Sequence, residues 1–272
     1  GLVCISVYKQ TKLYFKFMNW YDDLCEYYKV TPEQADTLGT RKTGRKPDLP
    51  GSPTCEPVSG KTFEDIWESK PRETSAQIFE FYKEIGSWLS FRQCKYHEHG
   101  PAYGAGFEGL EHLKHKQVKS TINMLEYGGG VCPISTWFAD NVKQLNYNFY
   151  INDVPSEHLN FGEWRLKKRN QNVKKFEIEP DIFPDYGDVK FDLIYMIDVL
   201  EHMDKPHAAI QALLKYCKPN ETVLIETWID HTEKGVGCDL DREKKETMEL
   251  IKKNFVMVRP GVLKSWRKLS IF

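Results

Sequence analysis

The chain has 272 residues, a formal net charge of −1, and 40% hydrophobic and 13% aromatic side chains. This supports one large domain, or a domain of about 150 residues carrying a cap. The near-neutral balance argues against a protein that lives by neutralising nucleic-acid phosphates. No apolar run reaches the roughly 18 residues that a membrane-crossing helix needs.

Seven cysteines are spread along the chain without a C-x-x-C pair. An odd, scattered set reads as free thiols in a reducing compartment, so a cytoplasmic location is expected. Cys94-x-x-His97-x-His99 has ligand types that suit zinc. A closed site needs a fourth ligand, which the local spacing does not supply, and no metal is expected.

Gly1 is not an initiator residue, and Met18 could serve as a start, with Leu2–Phe17 as an upstream extension. Lys9, Lys12 and Lys16 interrupt that stretch, which lacks the apolar centre and cleavage site of a signal peptide. Residues 1–110 read as a helical, partly irregular cap. Helices are predicted over Asn19–Lys29, from Thr31-Pro32 onward, and over Thr62–Ser69 and Ser75–Ser90. Between them, Gly39–Gly60 collects glycine, proline and the basic residues Arg41, Lys42, Arg45 and Lys46, the composition of a solvated loop. Tyr96–Gly109 is rich in histidine and glycine and reads as a connector, followed by a helix over Leu110–Lys119.

Residues 111–272 change rhythm to alternating strands and helices, the mark of a parallel sheet. Strands are predicted at Thr121–Tyr127, Tyr147–Asp153, Val173–Ile178, Phe191–Ile197 and Thr222–Thr227. Crossover helices are predicted at Pro133–Leu145, Glu157–Arg169 and Lys205–Tyr216, while the segment containing DIFPDYGDVK holds only a turn. A charged helix over Asp241–Lys253 precedes a closing hairpin, Phe255–Arg259 and Ser265–Phe272. The fold expected is α/β, a mostly parallel seven-stranded Rossmann-like sheet with a C-terminal antiparallel hairpin and a mainly helical N-terminal cap.

The strongest chemical signal is MLEYGGGVC, Met124 to Cys132. An apolar strand ends in a carboxylate, Glu126, then turns through Gly128, Gly129 and Gly130 into a helix. Glycine lets the backbone turn sharply and lets a ligand approach, and the following helix start adds oriented N–H groups. Asp153 closes the next strand, 23 residues beyond Gly130. That is near the spacing at which a dinucleotide fold presents an acid to ribose hydroxyls. Asn152 beside it is a second candidate for that role.

These motifs resemble the class I S-adenosylmethionine-dependent methyltransferase family, in its small-molecule type, over residues 110–272. LEYGGGVC is similar to the family's first motif, with Cys132 where a third glycine is frequent, and YINDV to its second. PDIFP resembles the loop after the third strand, and FDLIYMIDVLEHM the fourth motif of small-molecule members. The resemblance implies S-adenosylmethionine as cofactor, with Glu126 and Gly128–Gly130 lining its methionine portion and Asp153 its ribose. It also implies Asp181 and Ile182 at the adenine, and Asp198 facing the cofactor or substrate crevice.

Proton-accepting candidates for catalysis are His97, His99, Tyr103, Asp198 and His202, with Tyr96 and His231 beside them. The acceptor expected is a small polar molecule. The Asp/Asn-Pro-Pro-Tyr/Phe motif of amino-methylating nucleic-acid enzymes is absent where this chain has IDVL. A non-catalytic cofactor-binding scaffold is the alternative. A nicotinamide-dependent oxidoreductase is disfavoured by Pro133, which stands where the dinucleotide fingerprint has its last glycine. The aromatic N-terminal segment could pack across a homodimer.

Overall fold

A computed structural model describes residues 20–39, 67–85, 87–97, 101–117, 120–228, 240 and 242–270. Leu2–Phe17, the basic loop at 41–46, the start of the helix expected at Thr62, His99 and His231 lie outside the described residues.

The strands are β1 (Thr121–Tyr127), β2 (Asn146–Asp153), β3 (Asn172–Glu177), β4 (Leu193–Met196), β5 (Val223–Glu226), β6 (Phe255–Arg259) and β7 (Lys264–Lys268). They form one sheet in the order β3-β2-β1-β4-β5-β7-β6. β1 to β5 run parallel, and β7 joins antiparallel to both β5 and β6. The seven-stranded, mostly parallel sheet with its closing hairpin is therefore as the sequence predicts. The strand order reverses at β1, where β2 lies on one side and β4 on the other. In open α/β sheets ligands sit at such a switch point, beyond the carboxyl ends of the strands.

Side chains along a strand alternate between faces, which divides the core in two. Ile122 and Met124 of β1, Phe149 and Ile151 of β2, and Leu193 and Tyr195 of β4 point to one face. That face is covered by α1 (Trp20–Tyr28), α2 (Pro32–Gly39), α4 (Ser87–His97), α5 (Pro101–Leu113), α6 (Pro133–Asn141) and α7 (Glu157–Lys168). Leu125 and Tyr127, Tyr150, and Ile194 and Met196 point the other way, onto α8 (Pro206–Leu213) and α9 (Lys244–Asn254). Cover on both faces explains why β4 and β5 are buried at every position and read as unbroken apolar runs. A smaller cluster of Trp67, Ile78, Phe81 and Leu89 includes residues of α3 (Ser75–Ile85).

Two expectations need correction. The helix predicted over Ser75–Ser90 is two helices, α3 and α4, and the second runs on to His97. The segment expected to be a glycine-rich connector is largely α5, which starts at Pro101 and ends at Leu113, not at Lys119. Two of its glycines are contact points. A Cβ on Gly109 would lie 1.7 Å from the Tyr195 hydroxyl, and one on Gly106 2.4 Å from the Trp137 ring. Close packing on the sheet overrides the poor helix propensity of glycine. The boundary expected at residue 110 falls inside this helix.

The N-terminal helices share the sheet's core. Leu24, Ala35, Leu38, Phe91 and Cys94 belong to the same cluster as the inner β1 and β2 residues. Asp23 of α1 is buried and takes hydrogen bonds from Arg165 Nε at 3.1 Å and Lys168 Nζ at 3.0 Å, with Arg169 Nη2 at 2.9 Å. Burial raises its carboxyl pKa, but the Arg165 and Arg169 guanidiniums outweigh burial and hold it below the usual value.

Candidate cofactor site

The turn between β1 and α6 has three residues in the left-handed region: Gly128 at φ 65°, Gly130 at φ 49° and Cys132 at φ 52°. Glycine adopts this conformation freely, whereas a side chain there costs about 1–2 kcal/mol. Cys132 thus fills a position whose backbone explains why glycine is frequent there. A Cβ on Gly128 would lie 2.5 Å from Val199 Cγ2, and one on Gly130 2.4 Å from Gln93 Oε1.

The end of β2 holds this turn in place. Gly128 N donates to Asn152 Oδ1 (3.2 Å), Gly129 N to Asn152 O (3.0 Å) and Gly130 N to Asp153 Oδ2 (2.7 Å). Glu126 holds it from below. Its two carboxylate oxygens accept from Ile134 N at 3.0 Å and Ser135 N at 2.8 Å, capping the α6 N-terminus that Cys132 leaves without a side-chain cap. Burial pushes the Glu126 carboxyl up to about 7, against the lowering effect of these hydrogen bonds. Its carboxyl group is therefore engaged by the helix start, and the residue shapes the turn from inside the protein.

Asp153 Oδ1 also accepts from Val154 N at 2.7 Å, and the side chain keeps 15% of its surface exposed. Each carboxylate oxygen has two lone pairs, so both retain an acceptor position for a hydroxyl. His158, buried beneath, places Nε2 3.7 Å from Asp153 Oδ2 and 3.1 Å from Ser156 Oγ.

At the carboxyl ends of β4 and β5, Asp198 adopts φ 52°. Thr227 Oγ1 accepts from Asp198 N at 2.7 Å and lies 3.0 Å from Asp198 Oδ1, to which it donates. This hydroxyl clamps both ends of a backbone-strained, partly exposed acid. The next residue, Val199, packs on Gly128, so Asp198 stands beside the glycine turn.

Glu126, Gly128–Gly130, Asp153 and Asp198 thus gather at the switch point. Asp181 and Ile182 lie on the loop after β3, where the structure ties Asp181 elsewhere. Its Oδ1 accepts from Ser75 Oγ of α3 at 2.7 Å and pairs with Lys205 Nζ at 3.0 Å. The Ser75 hydrogen bond and Lys205 hold its carboxyl below the usual range. Ile182 is largely exposed. From the same loop Tyr186 is buried and accepts from Asn152 Nδ2 at 2.7 Å.

The histidine candidates separate. His97 ends α4 in a buried position, and burial, with Arg165 nearby, pushes it down to about 3, which makes it a weak proton acceptor. His202 lies in a short 3-10 turn, Leu200–His202, partly exposed. Tyr96 is exposed, and Tyr103 is placed on α5 by its backbone. Gln93 and Thr227 are residues the sequence reading missed. Nothing in the helical run around Gln93 marks it, whereas Thr227, directly after an apolar strand, carries the same strand-end signal that singled out Asp153.

A parallel sheet with a glycine turn after β1, an acid after β2 and an antiparallel β7 is the Rossmann-like architecture expected of the class I S-adenosylmethionine-dependent methyltransferases. The sequence model of a family described as "Methyltransferase domain" matches residues 102–254, and the chain belongs to that family. S-adenosylmethionine is its cofactor, and methyl transfer is the reaction of the family. Among solved structures, the chain is similar to a SAM-dependent methyltransferase from Aquifex aeolicus (19% identity, TM-score 0.44, covering 62% of this chain and 93% of that one). It is also similar to a protein of Pyrococcus horikoshii (17%, 0.44, 62% and 92%). A third is a precorrin-6y C5,15-methyltransferase from Geobacter metallireducens (15%, 0.40, 61% and 89%). No curated protein matches. Among the described residues no helix is long and apolar enough to cross a membrane.

Proposed function

We propose that this chain transfers the methyl group of S-adenosylmethionine to a small polar acceptor, with residues 1–110 acting as a cap over the crevice. The observation that carries the reading is the glycine turn pinned by Asn152 and Asp153 at the switch point of the sheet. The turn is packed too closely for any side chain, since a Cβ at Gly128 or Gly130 would collide with Val199 or Gln93, and Asp153 keeps acceptor capacity for vicinal hydroxyls.

In this reading Asp153 orients the ribose, the glycine turn receives the methionine portion, and the loop carrying Asp181 and Ile182 borders the adenine. The bound cofactor supplies an electrophilic methyl group on a sulfonium. The protein's part is to align an acceptor with it and exclude water, which by proximity alone is worth several kcal/mol. Asp198 is the proton acceptor assigned here. Thr227 holds Oδ1, and Oδ2 makes no hydrogen bond with a described residue, so it can take a proton from a hydroxyl or ammonium acceptor.

Calorimetric titration of the full chain with S-adenosylmethionine and S-adenosylhomocysteine tests the cofactor half, with saturable binding of both expected. Incubation with a panel of small polar metabolites tests the acceptor half by S-adenosylhomocysteine release. Binding without release from any acceptor would favour an inert cofactor-binding protein and overturn the catalytic reading.

A further inference from the structure

All five backbone N–H groups of the turn are engaged within the protein. Gly128, Gly129 and Gly130 donate to Asn152 and Asp153, Val131 N donates to Gln93 Oε1 at 3.3 Å, and Cys132 N to Gly129 O at 2.7 Å. An anionic group resting on this turn would find no spare backbone donor there. The α6 N-terminus offers no substitute, because Ile134 N and Ser135 N point at Glu126. A carboxylate needs donors to replace its water, so a side chain must supply them.

Gln93 stands in that place. Its Oε1 and Nε2 lie 2.4 and 3.0 Å from where a Cβ on Gly130 would be, so the side-chain amide rests on the turn. Nε2 makes no hydrogen bond with a described residue and carries two protons to donate. The helix that carries Gln93 is firmly seated. Phe91 and Cys94 of α4 are in the main core, Tyr28 OH lies 2.7 Å from Ser90 Oγ, and Lys95 Nζ pairs with Asp36 Oδ1 at 2.7 Å.

We infer that Gln93 of α4 is a binding residue for the amino-acid end of S-adenosylmethionine, its side-chain amide donating to the α-carboxylate over the Gly128–Gly130 turn. This rests on the cofactor reading above. It makes the N-terminal segment part of the cofactor site itself, and ties the seating of α4 to cofactor affinity.

The test is calorimetry on the full chain with three ligands: S-adenosylmethionine, S-adenosylhomocysteine and 5′-methylthioadenosine, which keeps the nucleoside but lacks the carboxylate and amine. Gln93→Ala and the length-preserving Gln93→Met should each weaken both amino-acid-bearing ligands about tenfold, the scale of one hydrogen bond to a charged group. Neither should change 5′-methylthioadenosine affinity. Gln93→Glu should weaken the first two further by opposing the carboxylate. Equal losses for all three ligands would mean that the substitution deforms the turn, and unchanged affinity would mean no contact; either overturns the inference. Wild-type protein that binds none of the three would instead overturn the cofactor reading on which it rests.

Discussion

The carboxylate of Asp153 accepts a hydrogen bond from Gly130 N at 2.7 Å, so the acid that closes β2 also holds the turn that closes β1. In the proposed cofactor reading, orientation of the ribose and shape of the methionine pocket therefore both depend on this side chain. Asp153→Ala should weaken S-adenosylmethionine roughly 10- to 100-fold in calorimetry, since hydrogen bonds to a charged group are worth about 1.5–3 kcal/mol. Unchanged affinity would remove Asp153 from the site.

Glu126 predicts a pH dependence. Its carboxyl rises from 4.5 to about 7 on folding, so its contribution to stability is complete below pH 4.5 and is lost as the pH climbs through 7. The substitution Glu126→Gln keeps this position neutral at every pH and imitates the protonated acid. Denaturant titrations should show wild type losing stability relative to the variant between these two pH values, at a slope of at most about 1.4 kcal/mol for each step of one in pH. A difference that does not vary with pH would refute the burial effect.

Two glycines of α5 should respond with opposite signs. A Cβ at Gly109 meets the Tyr195 hydroxyl at 1.7 Å, while one at Gly104 meets nothing within 4 Å. Gly109→Ala should cost about 1–3 kcal/mol through overpacking. Gly104→Ala should gain up to about 1 kcal/mol from helix propensity. Urea midpoints of the two variants decide it, and a matching response would contradict the packing described.

Asp23 is buried against Arg165, Arg169 and Lys168, and Arg165 Nη1 donates to Val131 O at 2.7 Å behind the glycine turn. Asp23→Ala leaves these cations without their shared counter-charge, and breaking one partner of a buried pair typically costs about 3–5 kcal/mol. A drop of that size in unfolding free energy is expected. A loss under about 1 kcal/mol, the scale of an exposed pair, would show that α1 is not anchored through this cluster.

The glycine turn and the acid that pins it were legible because they are local. A glycine turn must follow a strand and precede a helix, and an acid must close the next strand; both requirements are written in consecutive residues from Met124 to Asp153. The mostly parallel sheet was legible for the same reason, since strands buried on both faces read as apolar runs at βα spacing. The α5 glycines misled because propensity is a local property, and their contacts with Trp137 and Tyr195 are not.

Sequence by itself determined the class of fold and the family, and singled out the acids at the ends of its strands. Only the tertiary structure decided which groups those acids meet. It turned Glu126 onto the α6 N-terminus, drew Asp181 to Ser75 and Lys205, clamped Asp198 with Thr227 and laid Gln93 over the turn. In each pair the partners lie on separate elements or at opposite ends of a tight turn, with backbone angles or crossings that one-dimensional spacing does not encode. Burial and hydrogen-bond partners, and with them charge state and reach, come from that juxtaposition.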